Sequence, residues 1–184
     1  MNAHEPVKEP VVTSYAEAPS HQISAGGVTY AYRELGPQGG IPVIFFVHLA
    51  ATLDNWDPRI IDPIAKNRHV ITFDNQGVGA STGQVPDSIE AMADDAYTFI
   101  KALGFEKIDI FSFSLGGMVA QALVVKHPDL VRKLVLTGTG PKGRQGHGQG
   151  GRDHLLRHTS GHPYPVRPEG IPVLQPRHRG QASR

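Results

Sequence analysis

The chain has 184 residues, which suits one domain with a buried core and excludes two large domains. Its hydrophobic fraction of 39% and charged fraction of 19% are typical of a folded globular protein. No apolar run approaches the roughly 18 residues that a membrane-spanning helix needs. The sequence contains no cysteine, which excludes disulfides, a thiolate nucleophile and zinc held by cysteine. The N-terminal residues lack the apolar core of a signal peptide, so we expect a cytoplasmic protein.

The net charge of +1 combines two regions of opposite charge. Residues 1–140 contain 10 Lys and Arg against 15 Asp and Glu, whereas residues 141–184 contain 8 against 2. The second region also holds eight glycines, six prolines and five histidines. Such a composition buries too little apolar surface to offset the entropy of ordering. We therefore expect a flexible leader over residues 1–21, a folded core over 22–140 and a disordered, low-complexity basic tail over 141–184.

Strand and helix patterns alternate through the predicted core. Continuous apolar runs indicate strands buried on both faces, and apolar residues at three- and four-residue spacing indicate helices. In chain order the predictions are a hairpin or two short strands at 22–35, a strand at 41–47, a helix at 58–66, a strand at 69–73, a helix at 88–103, a strand at 107–113, a helix at 115–126 and a strand at 132–136. This order predicts an α/β fold, with a mainly parallel sheet and helices on both faces.

The helix predicted at 88–103 carries a start signal and a stop signal. Asp87, with Glu90 three residues later, is typical of a capping box. Gly104 follows the last apolar position and is typical of a helix end.

The strongest chemical signal is the sequence FSFSLGG at 111–117. Ser114 stands where a buried strand turns directly into a helix, and its neighbours two positions away, Ser112 and Gly116, are small. This pattern predicts a nucleophile elbow, a strained turn that holds the hydroxyl clear of the sheet at the positive end of a helix. The backbone NH of Leu115 would then face the oxyanion formed when Ser114 attacks a carbonyl. A tight turn that serves packing alone is the alternative interpretation.

Together with this elbow, three further motifs within residues 22–141 resemble the α/β-hydrolase family. They are FVHLA at 46–50, FDNQGVGAS at 73–81 and LTGTGP at 136–141. The resemblance implies the α/β-hydrolase fold, truncated after about the sixth strand. It also implies a serine hydrolase of the esterase or haloperoxidase-like branch, with Ser114 as nucleophile and an ester or similar acyl compound as substrate.

The resemblance also implies the rest of the oxyanion hole. In the family, the third strand is followed by His-Gly-X, and the backbone NH of X is the second donor. By position that residue is Ala50, so the hole would consist of the NH groups of Leu115 and Ala50. Leu49 stands where the family usually has glycine, Gln76 stands where it usually has arginine, and His48 has a structural role in the family. We expect a small-molecule substrate, no cofactor, no metal ion, no specific nucleic acid and no membrane association.

The general base and the acid of a catalytic triad are not evident in the sequence. A serine hydroxyl needs a base oriented by a carboxylate, and this fold supplies them in the chain order Ser, Asp or Glu, His. In the family they follow the seventh and eighth strands, and neither strand pattern is visible, nor is the usual helical lid. Residues 141–184 offer candidates without a strand before them: Asp153, Glu169, His147, His154, His158, His162 and His178.

These gaps lead to two hypotheses about function. The first is a serine hydrolase impaired by truncation or by a frameshift near Gly140, since the change of composition there is what a shifted reading frame of GC-rich DNA would give. The alternative is a catalytically inactive remnant that acts, if at all, as a binding or interaction protein. In both cases the sheet edge left open after residue 136 favours self-association.

Three weaker patterns favour other functions less strongly. A G-x-G-x-x-G sequence at 138–143 suggests a dinucleotide site, but it contains Pro141 and no helix pattern follows it. His154 and His158 have the spacing of metal ligands on a helix, without a convincing helix to carry them. The basic tail could contact nucleic acid non-specifically.

Overall fold

The structure is a computed structural model that describes residues 14–141. Its strands are β1 (Ser20–Ala25), β2 (Val28–Leu35), β3 (Val43–Phe46), β4 (Val70–Phe73), β5 (Ile108–Phe113) and β6 (Val131–Thr137). Its helices are α1 (Pro58–Ala65), α2 (Ile89–Ala102) and α3 (Leu115–Lys126), with a 3₁₀ turn at Leu53–Asn55. The predictions of a disordered tail, of acid, base and metal candidates beyond residue 141, and of a frameshift lie outside the described residues.

The described strands form one sheet in the order β1-β2-β4-β3-β5-β6. Strands β4, β3, β5 and β6 pair in parallel, while β2 pairs in antiparallel fashion with both β1 and β4. A helix lies in the chain between each two successive parallel strands, as parallel pairing requires. The predicted α/β class with a mainly parallel sheet is confirmed, and the hairpin at its edge makes the sheet mixed.

Helices cover both faces of this sheet, which explains the unbroken apolar runs. In β3, Ile44 and Phe46 belong to the apolar core that includes residues of α2 and α3. Val43 and Phe45, which alternate with them, belong to a second core that includes residues of α1. Because successive side chains of a strand point to opposite faces, a strand buried on both sides is apolar at most positions on both faces.

The start of α2 differs by one residue from the predicted capping box. Ser88, not Asp87, is the N-cap residue, and its hydroxyl accepts a hydrogen bond from the NH of Ala91 at 3.2 Å. The assignment of the cap to Asp87 is therefore wrong, because the chain takes the extended cap conformation one position later, at Ser88 (φ −141°, ψ 151°). The predicted end of the helix is confirmed by Gly104, whose φ of +84° lies in the left-handed region.

Residues from 14 onward pack against the second face of the sheet. Tyr15 is 2% exposed and belongs to the same core as α1. Its backbone NH donates to the Asp62 carboxylate at 2.7 Å, which attaches the segment to α1. Its hydroxyl lies 3.0 Å from the hydroxyl of Thr72 in β4. The N-terminal part of the described chain therefore contributes a buried side chain to the core.

A buried carboxylate joins the amino ends of the parallel strands. Asp109 of β5 is 4% exposed and accepts hydrogen bonds from Arg132 of β6 at 2.7 and 2.9 Å. It also accepts one at 2.7 Å from Arg68, which precedes β4. These hydrogen bonds, with those from Arg132 the strongest, lower the pKa of Asp109 to about 2 against the opposing effect of burial. The ion cluster thus ties β5 and β6 to the segment that enters β4.

Within residues 14–141, every helix is too short or too polar to cross a membrane.

Candidate active site

Ser114 occupies the single position between β5 and α3. Its backbone adopts φ +53° and ψ −116°, a sparsely populated conformation of the kind that costs about 1–3 kcal/mol. Among the described residues, it shares a positive φ with one other non-glycine residue, Ala50. Strain of this size persists only where the surrounding structure imposes it, and such positions concentrate at functional sites.

The neighbours of Ser114 explain why the turn needs small residues. A Cβ atom on Gly116 would lie 2.2 Å from the carbonyl oxygen of Phe46, because the first turn of α3 approaches the end of β3. Ser112 is fully buried, and its hydroxyl donates to the carbonyl oxygen of Val135 at 2.7 Å. These contacts match the close packing that the sequence pattern predicts at both positions.

Strand β6 fixes the end of β5 directly before Ser114. The NH of Ser114 donates to the carbonyl oxygen of Thr137 at 3.0 Å, and the Thr137 hydroxyl donates to the carbonyl oxygen of Ser112 at 2.7 Å. The backbone on the strand side of Ser114 is therefore held by two hydrogen bonds to the neighbouring strand.

The hydroxyl of Ser114 has a different environment from its backbone. Ser114 is half-buried, and within residues 14–141 its hydroxyl caps no NH group of the helix and has no hydrogen-bond partner. The NH of Leu115 is the first of α3 and has no partner inside the helix, whereas the NH of Gly117 donates to the carbonyl oxygen of Ser114 at 3.0 Å. A nucleophile and a hydrogen-bond donor thus stand next to each other at the positive end of a helix.

The loop after β3 lies at the carboxyl ends of the parallel strands, as Ser114 does. Strands β3 and β5 are neighbours, with Phe46 opposite Ser112. The His48 ring stands edge-on to the Phe113 ring, with 5.5 Å between centroids. Ala50 is exposed, with φ +57°. The structure therefore places the loop of the predicted second donor at the same end of the sheet as Ser114.

Asp74, at the end of β4, holds this region in a way that the sequence did not reveal. It is 2% exposed, and its carboxylate accepts hydrogen bonds from the NH groups of Leu53 at 2.7 Å and Ala80 at 2.9 Å. Burial raises the pKa of Asp74, and the two NH groups oppose that rise. Asp74 belongs to the motif at 73–81, in which an apolar strand is followed by a glycine-rich turn (residues 75–80). A single carboxylate between that strand and that turn is the sequence signal that could have identified its role.

No carboxylate–histidine pair lies beside Ser114 in the described part of the chain. His69 and Glu34 do form such a pair, at 2.9 Å, but it lies at the amino end of β4, at the other end of the parallel strands from Ser114. His48 is at the same end of the sheet as Ser114, and its Nδ1 lies 3.0 Å from the carbonyl oxygen of Leu49. Residues 14–141 also lack any group of three or more side chains suited to hold a metal ion.

Comparison with known proteins agrees with this geometry. A solved alpha/beta hydrolase fold protein from Chitinophaga pinensis is 46% identical with a TM-score of 0.70, over 71% of this chain and 47% of that one. The 2-hydroxymuconate semialdehyde hydrolase of Pseudomonas sp. (strain CF600) is 38% identical over 46% of this chain and 30% of its own length. Proline iminopeptidase PfmaB of Pestalotiopsis fici is 29% identical over 65% of this chain and 43% of its own length.

The chain therefore spans less than half the length of these relatives. The family model described as the alpha/beta hydrolase fold matches residues 41–155, well over half of the chain. That match contains the β3 loop, the glycine-rich turn, Ser114 and α3, so the chain belongs to the alpha/beta hydrolase fold family.

Proposed function

We propose that the protein is a serine hydrolase that acts on an ester or a similar small acyl compound. The observation that carries the proposal is Ser114, a strained residue at the start of α3 whose hydroxyl has no hydrogen-bond partner within residues 14–141. The costly backbone and the unpartnered hydroxyl together suit a nucleophile better than a helix cap.

The proposed reaction is acyl transfer through a covalent intermediate. The Ser114 Oγ attacks the carbonyl carbon of the substrate and gives its proton to a base, while the carbonyl oxygen becomes an oxyanion. The NH groups of Leu115 and Ala50 stabilise that oxyanion. The carbonyl re-forms as the C–O bond to the leaving alcohol breaks, and the alcohol takes the proton. Water then attacks the acyl-serine in the same way, which releases the acid and restores Ser114.

The base and its acid partner are unassigned. Loss of the base in serine hydrolases costs on the order of a millionfold in turnover, and the oxyanion hole with substrate binding retains about 10³ to 10⁴ over water. A chain that lacks a positioned base would therefore hydrolyse an activated ester slowly but measurably. Impaired turnover is part of the proposal.

The names of the relatives cover a semialdehyde hydrolase and an iminopeptidase, which differ in substrate. For this reason the proposal extends to the class of reaction and to small acyl compounds, and names no particular substrate.

Active-site labelling and ester hydrolysis test the proposal together. The full chain would be incubated with a phosphonate probe for reactive serines and with a p-nitrophenyl ester. Ser114→Ala would remove the nucleophile, and Ser24→Ala, which removes an exposed hydroxyl in β1, would serve as the matched control. We expect labelling and turnover to disappear with Ser114→Ala and to persist with Ser24→Ala. Equal rates for the unaltered chain and Ser114→Ala would contradict the proposal and favour a non-catalytic binding protein.

A further inference from the structure

We propose that Tyr15 is a positioning residue for the oxyanion loop, the segment 48–53 that carries the NH of Ala50. The inference rests on the proposed function, because it takes Ala50 as an oxyanion donor. Tyr15 is outside the active-site motifs in the sequence, and the proposal gives it a part in setting the geometry of the oxyanion hole.

Tyr15 reaches the oxyanion loop from the segment that precedes β1. Its hydroxyl donates a hydrogen bond to the carbonyl oxygen of Leu53, 38 positions away in sequence. The same hydroxyl lies 3.0 Å from the hydroxyl of Thr72, which is fully buried in β4. Tyr15 itself is 2% exposed and its NH donates to the Asp62 carboxylate, so both its ring and its backbone are held in the core. Leu53 is thereby fixed to the sheet through a rigid side chain.

The other polar group of the Leu53 backbone is also held from outside the loop. Its NH donates to the Asp74 carboxylate at 2.7 Å, and that carboxylate is itself fixed by the NH of Ala80. Leu53 is 4% exposed, so neither of its backbone groups can exchange its partner for bulk water without local opening. Tyr15 and Asp74 therefore clamp one residue from its two sides.

This clamp closes the loop that carries Ala50. The loop leaves β3 after Phe46, and within it the NH of Ala51 donates to the carbonyl oxygen of His48 at 3.4 Å. Leu53, three residues beyond Ala50, is where the loop backbone is bonded to distant parts of the chain. Ala50 is exposed and holds a positive φ of 57°, a conformation that an alanine leaves when its surroundings permit. A donor NH displaced by about 1 Å can cost on the order of 10²-fold in rate.

The chemistry of Tyr15 suits a permanent donor. Burial raises the pKa of its phenol above the ordinary value, so the hydroxyl carries its proton at neutral pH and can donate it. The guanidinium of Arg33 lies 5.5 Å from the centre of the ring and packs against it. Replacement by phenylalanine would keep the ring and its packing and would remove the donor to Leu53 together with the contact to the Thr72 hydroxyl.

The test uses Tyr15→Phe with Tyr30→Phe as the matched control. Tyr30 is 1% exposed, and its hydroxyl makes no hydrogen bond within residues 14–141. Amide hydrogen exchange of the full chain would be followed over the oxyanion loop and over α3, and steady-state hydrolysis of the p-nitrophenyl ester would be measured. We expect exchange at Ala51 and Leu53 to rise about tenfold, the change produced by about 1.4 kcal/mol of lost protection, with α3 unchanged.

Turnover separates positioning from stability. We expect kcat to fall about tenfold in Tyr15→Phe with KM unchanged, because an oxyanion donor acts in the transition state. Tyr30→Phe should change neither kcat nor loop exchange. Unchanged loop exchange in Tyr15→Phe, or a rise shared by α3, would overturn the inference. Unchanged kcat beside Ser114-dependent hydrolysis would overturn it while leaving the proposed function intact. Hydrolysis independent of Ser114 would remove the proposed function and the positioning role with it, even where loop exchange rises.

Discussion

Helices α2 and α3 each begin after a serine, and the two serines differ in backbone conformation and in what their hydroxyls bind. Ser88 has an extended backbone, and its hydroxyl accepts a hydrogen bond from the NH of Ala91. Ser114 has a φ of +53°, and its hydroxyl caps no NH group. An N-cap of the first kind stabilises a helix by about 1 kcal/mol, whereas a backbone of the second kind costs about 1–3 kcal/mol.

The difference comes from what precedes each serine. A loop leads into Ser88, so the chain can reach the cap conformation freely. Strand β5 leads into Ser114 with no residue between, and β6 holds the end of that strand. The conformation that the preceding chain allows therefore decides the role of each serine. After a loop, Ser88 caps its helix; directly after a strand, Ser114 leaves its hydroxyl without a cap hydrogen bond.

The largest expected effect on stability concerns the second helical residue of α3. Gly116→Ala would place a Cβ atom 2.2 Å from the carbonyl oxygen of Phe46, where backbone would have to move. We expect a loss of about 3 kcal/mol in the free energy of unfolding, measured by urea denaturation. Gly40→Ala is the matched control, because a Cβ atom there meets nothing within 4 Å. Similar losses in the two variants would contradict the close approach of α3 to β3.

The second prediction concerns the end of β5 opposite to Ser114. Asp109→Asn removes a carboxylate whose pKa is lowered to about 2, chiefly by its hydrogen bonds to Arg132. A lowered carboxyl pKa contributes stability that is complete above the unfolded value of about 4 and is lost as pH falls towards 2. We expect the variant to lose about 2 kcal/mol at neutral pH.

The pH dependence provides the check on that prediction. Urea denaturation at a series of pH values should show the difference between the parent chain and Asp109→Asn shrinking as pH falls from 4 to 2, because the parent loses its advantage by protonation. A difference that stays constant over this interval would mean that the carboxylate does not stabilise the fold through its charge. Ester hydrolysis that depends on Ser114 should persist in the variant, since Asp109 lies at the other end of the strand.

Substitution of each of the two serines by alanine tests whether their hydroxyls differ in what they contribute to stability. Ser88→Ala should lower the free energy of unfolding by about 1 kcal/mol, because the NH of Ala91 loses its partner. Ser114→Ala should change it by less than about 0.5 kcal/mol, because no hydrogen bond of the hydroxyl within residues 14–141 is lost. Asp87→Ala, one residue before the cap, controls for position. Equal losses at the two serines would break the distinction between cap and nucleophile.

The smallest expected effect is on association. Within the described chain no strand pairs with the outer edge of β6, where Val135 and Leu136 are 46% and 43% exposed. We expect light scattering to show weak, concentration-dependent self-association, since an open strand edge can pair with another chain. Val135→Lys should reduce it more than Val125→Lys, which places the same charge on the exposed face of α3. A monodisperse monomer at high concentration would contradict this prediction.

Much of the described fold follows from local patterns in the sequence. The helix at 115–126 has the predicted bounds, and the strands at 69–73 and 107–113 begin one residue later than predicted. The apolar runs and the helical spacing were sufficient to predict these elements, because each pattern depends only on which faces of its own segment are buried. The capping residue of α2 was missed because Asp87 and Ser88 are both good caps, and backbone conformation selects between them.

The sequence by itself determined the order of strands and helices and the position of Ser114 at a strand-to-helix turn. Only the tertiary structure decided that β2 would lie antiparallel beside β4, and that Tyr15 and Asp74 would meet at Leu53. The physical reason is the range of the interactions. Periodicity and turn chemistry act over a few residues, whereas the contact between Tyr15 and Leu53 joins positions 38 apart and exists only when the sheet brings them together.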